Sequence, residues 1–159
     1  MVMSKGFRIV FFGSPDFAVP ALKVLVESGR QVVAVVTQPD RPKGRGRKTS
    51  SPPVKRAALE SGLAVFQPER IKTDGFYETM SEISPDLFVV VAFGQLLSQK
   101  LLDMPEKGAI NIHASLLPEY RGPAPIQWAI INGETETGVT TMFMEKKLDA
   151  GDVLLSQAT

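Results

Sequence analysis

The 159-residue sequence contains no cysteine and a single histidine, His113. The absence of cysteine excludes a disulfide framework, thiolate catalysis and a metal site built on thiolates. With one histidine, a multi-histidine metal site is excluded as well, and no other pattern in the sequence points to a metal. We therefore expect a protein that works without a metal ion.

Long hydrophobic runs are also missing. The longest apolar stretches, around Val32–Val36 and Leu87–Ala92, are far shorter than the about 20 residues that a membrane-spanning helix needs. The N-terminal residues include a lysine and an arginine, but only a short apolar stretch follows before Gly13, which does not form the hydrophobic core of a signal peptide. These features predict a cytoplasmic protein that does not contact a membrane.

The net charge of +1 hides an uneven distribution. Between Gln38 and Arg56 there are seven basic residues and one acidic residue, a local charge of +6, so the rest of the chain carries −5. An acidic body with one strongly basic segment is typical of a protein that contacts a polyanion at one place.

The basic segment Gln38–Pro53 is rich in proline and glycine and has no apolar periodicity. A connection of this length is predicted to be a long exposed loop, which is either functional or simply flexible and solvated. Basic residues alternate in it with small or rigid ones, a spacing that suits contact with successive phosphates, and no aromatic residue is present to stack on bases. The candidate phosphate-contacting residues are Arg41, Lys43, Arg45, Arg47 and Lys48.

Short apolar runs alternate with helical patterns along the chain. The apolar runs predict strands at Phe7–Phe12, Val32–Val36, Ala64–Phe66, Leu87–Val91, Ala109–His113, Gly138–Met144 and Asp152–Ser156. The helical patterns predict helices at Phe17–Ser28, Asp74–Ile83 and Ile126–Ile131. Another helix is predicted to begin at Ser51-Pro52-Pro53, with proline in its first turn, and to end before Gly62. Strands that are apolar at nearly every position are buried on both faces, which favours a parallel α/β sheet with helices on each side.

The turn Gly13–Phe17 occupies the position where nucleotide-binding folds place phosphate-binding glycines. It contains only one glycine and matches neither the dinucleotide-binding nor the P-loop pattern. We expect an ordinary turn from strand to helix, with Ser14 or Asp16 as the helix cap, and no dinucleotide or ATP site.

Asn111 and His113 form the most informative pair. Two positions apart on a strand, they project from the same face near its carboxyl end, the edge where open α/β sheets bind ligands. An amide donor beside a group able to exchange protons could stabilise an oxyanion, although an Asn–His pair can also be structural. Asp149, in the turn between the last two predicted strands, is either a turn former or the carboxylate that orients His113 and favours its protonated form.

Several segments together resemble a known family. They are GSPDF from Gly13, QPDRPKGRGRK from Gln38, VVVAFGQLL from Val89, NIHASLLPEYRG from Asn111 and LDAGD from Leu148. In this order they are similar to the N-terminal catalytic domain of the methionyl-tRNA formyltransferase family. The Asn-x-His and Ser-Leu-Leu-Pro elements are shared by enzymes that use 10-formyltetrahydrofolate, whereas the basic insertion is the part specific to tRNA.

The resemblance implies a Rossmann-like, three-layer α/β formyltransferase fold with a seven-stranded, mostly parallel sheet and one late antiparallel strand. Residues 1–159 would form one catalytic domain. The family carries a second, C-terminal β-barrel domain that helps to hold tRNA and has no counterpart here. Because the chain also stops directly after a predicted strand, we expect a fragment, monomeric and of uncertain activity by itself.

The resemblance also implies a reaction, in which the amino group of methionyl initiator tRNA attacks the formyl group of 10-formyltetrahydrofolate. Asn111 and His113 would stabilise the oxyanion, and Asp149 would sustain the charge of His113 and help to move the amine proton. Arg41 would lie closest to the tRNA end. The positions that match the folate site are Phe93, Gln95, Leu96, Leu97, Ser115, Leu116, Leu117 and Pro118.

Two positions depart from the family pattern: Glu119 stands where a basic residue is common, and Lys147 where glycine is frequent. Two other functions also stay open. A folate-dependent enzyme could formylate an amino sugar or another small amine, but such an acceptor gives no reason for a segment of charge +6. A non-catalytic RNA-binding module would have no need of Asn111, His113 and Asp149 together.

Overall fold

The computed structural model describes residues 6–43 and 48–159, without the side chains of Lys43 and Lys48. Its strands are β1 (Ile9–Gly13), β2 (Val32–Val36), β3 (Arg41–Lys43), β4 (Lys48–Ser50), β5 (Val65–Phe66), β6 (Leu87–Val91), β7 (Ala109–His113), β8 (Gly138–Phe143) and β9 (Val153–Ala158). Its helices are α1 (Val19–Glu27), α2 (Pro53–Glu60), α3 (Asp74–Ile83), α4 (Gln99–Leu102) and α5 (Pro125–Ile131), and a short 3₁₀ turn (Asp16–Ala18) precedes α1.

Seven strands of the described chain form one sheet in the order β5-β2-β1-β6-β7-β8-β9. The pairs from β5 to β7 are all parallel, whereas β8 is antiparallel to both β7 and β9. This confirms the mostly parallel sheet with one late antiparallel strand. The wholly parallel sheet expected from hydrophobicity alone is corrected at β8, whose alternation of buried and partly exposed residues is typical of antiparallel strands.

The central strands β1, β2 and β6 are buried between two helical layers, whereas β9 is exposed. Phe11 packs on the side of α1 and α2, whereas Phe12 packs on the side of α3 and α4, and both are fully buried. Adjacent residues on a strand point to opposite faces, so two consecutive phenylalanines serve two different cores. The ring of Phe12 meets the edges of Phe88 and Phe93 at centroid distances of 5.0 and 5.3 Å, contacts that stabilise the carboxyl end of the sheet.

The basic segment differs most from its prediction. Its two ends pair as the antiparallel strands β3 and β4, with Arg41 opposite Ser50 and Pro42 opposite Thr49, so it is a hairpin rather than a featureless loop. Proline is compatible with such an edge position because its missing N–H can face away from the partner. Arg45 and Arg47, which are expected to contact phosphates, lie outside the described residues.

Two smaller predictions need correction, and one helix was not predicted. The first strand begins at Ile9 rather than Phe7, which is half exposed, and neither Ser14 nor Asp16 caps a helix with its side chain. The short helix α4 had no sequence prediction, since four residues are too few to show helical periodicity.

Among the described helices the longest, α3, has ten residues, and none is long and apolar enough to span a membrane.

Candidate active site

Strand β7 carries Asn111 and His113 on one face, as predicted. Ala109, two residues earlier, packs into the core layer with α3 and α4, so Asn111 and His113 extend the same row beyond that core. Ile112 faces the other side and packs against the core layer of α1 and α2. In the register with β8, Asn111 lies opposite Met142 and His113 lies opposite Thr140.

Asp149 reaches this pair because the connection from β8 to β9 folds back along β7. The connection starts after Phe143, which pairs with Ile110 near the beginning of β7. Asp149 nevertheless lies farther along β7, where one of its carboxylate oxygens accepts a 3.4 Å hydrogen bond from Asn111 Nδ2. The same oxygen lies 3.8 Å from His113 Nδ1, a distance suited to an ion pair rather than to a hydrogen bond. The structure therefore brings the three predicted catalytic residues together.

The turn after β7 completes the surroundings of His113 and Asp149. His113 Nε2 lies 2.8 Å from the carbonyl oxygen of Tyr120, and the backbone N–H of Gly122 donates a 2.7 Å hydrogen bond to Asp149 Oδ2. The side chains of His113 and Asp149 are only 8% and 6% exposed. Both ring nitrogens of His113 thus face oxygen atoms, Nε2 at hydrogen-bond distance and Nδ1 slightly farther away.

This geometry can support charge development and proton transfer in a partly dehydrated site. Asn111 has a second amide hydrogen beyond the one directed at Asp149, so it can donate to a substrate oxygen. Asp149 is a carboxylate beside a ring that can carry positive charge, and it can accept a proton from an attacking amine. Such preorganised donors and acceptors are the usual means of stabilising a tetrahedral oxyanion.

Thr140 fixes the loop that follows His113. Its hydroxyl donates to the carbonyl oxygen of Ser115 at 2.7 Å and accepts from the N–H of Leu117 at 3.1 Å. Ser115, itself fully buried, donates to the carbonyl oxygen of Glu119 at 2.6 Å. The sequence did not single out Thr140, because a buried threonine on a strand looks like any other β-branched core residue.

Ser14 joins three strand ends instead of capping a helix. Its hydroxyl, directly after β1, donates to the carbonyl oxygen of Phe93 at 3.1 Å and accepts from the N–H of Gln38 at 3.2 Å. The side-chain amide of Gln38 donates to the same carbonyl at 3.2 Å. The turns after β1, β2 and β6 are therefore tied together at the carboxyl edge of the sheet.

The residues expected to contact folate occupy two loops that leave the neighbouring strands β6 and β7. Phe93 is buried in the core, whereas Leu96 is 64% exposed. The side chain of Gln95 accepts a hydrogen bond from the N–H of Ile71 at 3.2 Å. A cavity of 320 Å³ next to Gln95 and Leu96 is also lined by Arg70 and Lys72, two cations that sequence reasoning did not select.

The base of the basic hairpin is held by Asp40. Its carboxylate accepts hydrogen bonds of 2.7 Å from both Lys55 Nζ and Gln67 Nε2, and these two donors, Lys55 first, lower the pKa of Asp40. Arg41 lies 3.4 Å from Glu69, but both side chains are more than half exposed, so this ion pair contributes little stability. The described part of the predicted phosphate-contacting surface is therefore anchored to the domain at its base.

A second cavity lies on the other face of the sheet. A groove of 560 Å³ runs between α1 and strands β6 to β8 on the opposite face of the sheet, lined by residues such as Val24, Leu25, Ile110 and Ile112. Its walls are almost entirely apolar, and the side chains of Asn111 and His113 point away from it. The groove therefore has no part in the chemistry of the polar cluster.

Comparison with known proteins adds independent evidence. A family model described as formyl transferase matches residues 7–159. The methionyl-tRNA formyltransferases of Desulforamulus reducens and Geobacter sulfurreducens are 59% and 58% identical to this chain, over 95% and 96% of its length and 48% of theirs. The chain thus spans about half the length of the curated relatives it matches.

Solved structures agree in fold. A phosphoribosylglycinamide formyltransferase from Bacillus halodurans superposes with a TM-score of 0.75 at 21% identity, over 96% of this chain and 79% of that one. A formyltetrahydrofolate deformylase from Pseudomonas syringae gives a TM-score of 0.75 at 20% identity, over 98% of this chain and 52% of that one. At such identities the likeness concerns the fold, while the sequence resemblance is confirmed by the family match. From residue 7 to its last residue, the chain belongs to the formyl transferase family.

Proposed function

We propose that this chain catalyses transfer of the formyl group of 10-formyltetrahydrofolate to the α-amino group of methionyl initiator tRNA. The observation that carries the proposal is the buried contact of Asp149 with Asn111 and His113 at the carboxyl end of β7. Membership of the formyl transferase family supports a formyl-folate donor. The relatives named methionyl-tRNA formyltransferase, at 58–59% identity, support aminoacyl-tRNA as the acceptor.

In the proposed reaction the amine nitrogen forms a bond to the formyl carbon while the electron pair of the C=O double bond moves onto its oxygen. Asp149 accepts the proton that the attacking nitrogen loses. When the oxyanion collapses, the bond from carbon to N10 of the folate breaks. N10 then receives the proton, and tetrahydrofolate leaves beside the formylated amine.

Asn111 and His113 act on the oxygen that becomes negative. Asn111 Nδ2 donates one hydrogen to Asp149 and directs the other to the substrate. His113 Nε2, which lies against the carbonyl oxygen of Tyr120 in the free protein, donates to the formyl oxygen when the substrate is bound. Both donors are placed before the substrate arrives, so little reorganisation is needed during the reaction.

The acceptor is proposed to approach over the basic hairpin. Arg41 lies on β3 and is largely exposed, and Lys43, Arg45, Arg47 and Lys48 follow it in the sequence. Such a row of cations suits the phosphates of a tRNA acceptor end and would serve no purpose for a small neutral amine. The hairpin thus favours tRNA over the amino-sugar alternative.

A single-turnover assay tests this proposal. The chain, in excess over acceptor, is mixed with 10-formyltetrahydrofolate carrying a labelled formyl group and with methionyl initiator tRNA, uncharged tRNA or an amino-sugar nucleotide. We expect label only on methionyl-tRNA. Label on the amino sugar instead would support the small-amine enzyme, and no transfer to any acceptor would refute a catalytic role for this chain.

A further inference from the structure

The turn from Tyr120 to Ala124 has an unusual backbone. Tyr120 and Ala124 both adopt left-handed conformations, with φ values of 52° and 58°, and Gly122 between them has a φ of 87°. Residues with a Cβ atom avoid this region and occupy it only when the surroundings hold them there. Contacts with the rest of the domain must therefore maintain the turn.

The phenol of Tyr120 supplies such an interaction. Its hydroxyl donates a hydrogen bond to the Glu134 carboxylate and accepts one of 3.0 Å from Asn132 Nδ2. Asn132 is the C-terminal cap of α5, and Glu134 follows it closely. The phenol of a tyrosine is protonated at neutral pH and can donate there, and the hydrogen bond to Glu134 raises the pKa of Tyr120 further.

The backbone of the same turn contacts two catalytic residues. The Tyr120 carbonyl oxygen faces His113 Nε2 at 2.8 Å, and the Gly122 N–H donates to Asp149 at 2.7 Å. A rotation of the Tyr120 peptide out of the left-handed region would move both groups at once. The contacts of the Tyr120 hydroxyl at the C-terminal end of α5 are thus coupled to the orientation of the His113 ring on β7.

We propose that Tyr120 is a positioning residue, whose phenol, anchored on Glu134 and Asn132, fixes the turn that orients His113 and Asp149. It acts through the backbone and does not touch the substrate. Its importance for catalysis rests on the proposed function, but its effect on His113 does not. The two can therefore be tested separately.

His113 is the only histidine in the chain, so its ring signals in NMR spectra are unambiguous. We would measure the solvent-exchange rate of the His113 Nε2–H proton in the wild type and in Tyr120→Phe. Removing the phenol hydrogen bonds is expected to accelerate exchange about tenfold, the effect of weakening one hydrogen bond. Tyr77→Phe is the matched control, because Tyr77 is the other tyrosine and its hydroxyl also makes a side-chain hydrogen bond, with Ser98 Oγ at 3.0 Å.

A second pair of variants keeps the test decisive if Tyr120→Phe does not fold. Glu134→Ala removes the acceptor and is expected to accelerate exchange as Tyr120→Phe does, whereas Glu134→Gln retains an acceptor oxygen and should resemble the wild type.

Formyl-transfer kinetics provide the separate readout, with a several-fold lower kcat and an unchanged KM expected in Tyr120→Phe. If the wild type transfers no formyl group, the proposed function fails while the exchange rates still decide the role of Tyr120. Exchange at the wild-type rate in every folded variant among Tyr120→Phe and Glu134→Ala would overturn the role assigned to Tyr120.

Discussion

Individual side chains of β7 provide the sharpest test of the chemistry. If Asn111 and His113 donate mainly to an oxygen that becomes negative in the transition state, Asn111→Ala and His113→Ala should lower kcat by about 10²–10³-fold and leave KM nearly unchanged. Steady-state formyl-transfer rates measure both parameters, and circular dichroism checks the fold of each variant. A raised KM with normal kcat would mean that the pair serves binding or structure instead.

Gly151 is a residue whose small size the site requires. A Cβ atom at this position would collide with the carbonyl oxygen of Phe143, at the start of the connection that carries Asp149. Gly151→Ala should destabilise the protein by about 1–3 kcal/mol and reduce transfer, because the displaced connection moves Asp149. Urea denaturation measures the first effect.

Gly75 offers the control for this substitution. A Cβ atom there meets no atom within 4 Å beyond its chain neighbours and the backbone of its own helix, and the residue lies inside α3. Gly75→Ala should leave activity intact and stabilise the protein by at most about 1 kcal/mol. If both variants lost the same stability, the close approach of Gly151 to Phe143 would not explain the destabilisation of Gly151→Ala.

Among the elements, the hairpin β3–β4 depends on Asp40 at its base. Because hydrogen bonds from Lys55 and Gln67 lower the pKa of Asp40 below its usual value of 3.8, the stabilisation is present above that value and is lost as the pH falls through the pKa of the folded protein. The side-chain amide NMR signals of Gln67 should therefore titrate with a midpoint below 3.8. This titration should be absent in Asp40→Asn. A midpoint at or above 3.8 would contradict the conclusion that Lys55 and Gln67 lower the pKa of Asp40.

The charge of the hairpin predicts how tRNA binding responds to salt. Replacing Arg41, Arg45 and Arg47 by alanine should weaken tRNA binding and reduce the slope of log K against log salt by about 0.7–0.9 for each phosphate that the variant no longer binds. Filter binding over a range of salt concentrations measures this slope. The control removes the same charge outside the hairpin, with Lys23, Arg30 and Lys107 replaced by alanine. An equal change of slope in both triple variants would show that the net charge of the protein, and not the hairpin, determines the salt dependence.

Much of the element pattern could be predicted from the sequence. The predicted bounds of β2, α3, β6 and β7 match the structure, since buried β-branched runs and an amphipathic ten-residue pattern are strong signals. The hairpin could not be predicted, because its residues are polar and its strands have three residues each. The shared face of Asn111 and His113 followed from strand geometry, but the contacts from the Tyr120 carbonyl and the Gly122 N–H involve backbone groups that any residue type could supply.

The domain as a whole should be stabilised by the folate it is proposed to bind. A non-reactive folate analogue at about 100 times its Kd should add about 2.7 kcal/mol to the free energy of unfolding, measured by urea denaturation with and without ligand. Leu96→Asp should reduce this gain. Val24→Asp is the control, because Val24 on α1 is 62% exposed and Leu96 is 64% exposed. The Val24 variant should retain the full ligand-induced gain in stability. An equal reduction of this gain in both variants would count against folate binding at the loop that contains Leu96.

The strand order has a consequence for how the domain is made on the ribosome. β1 lies in the interior of the sheet, β2 and β5 complete one side, and every later strand from β6 to β9 adds to the other side in the order of synthesis. When each strand leaves the ribosome, the strand with which it pairs has already been synthesised, so the sheet can form in the order of translation. Asn111 and His113 belong to β7, whereas Asp149 follows β8, so the contact between the three side chains forms only after the connection from β8 to β9 has left the exit tunnel.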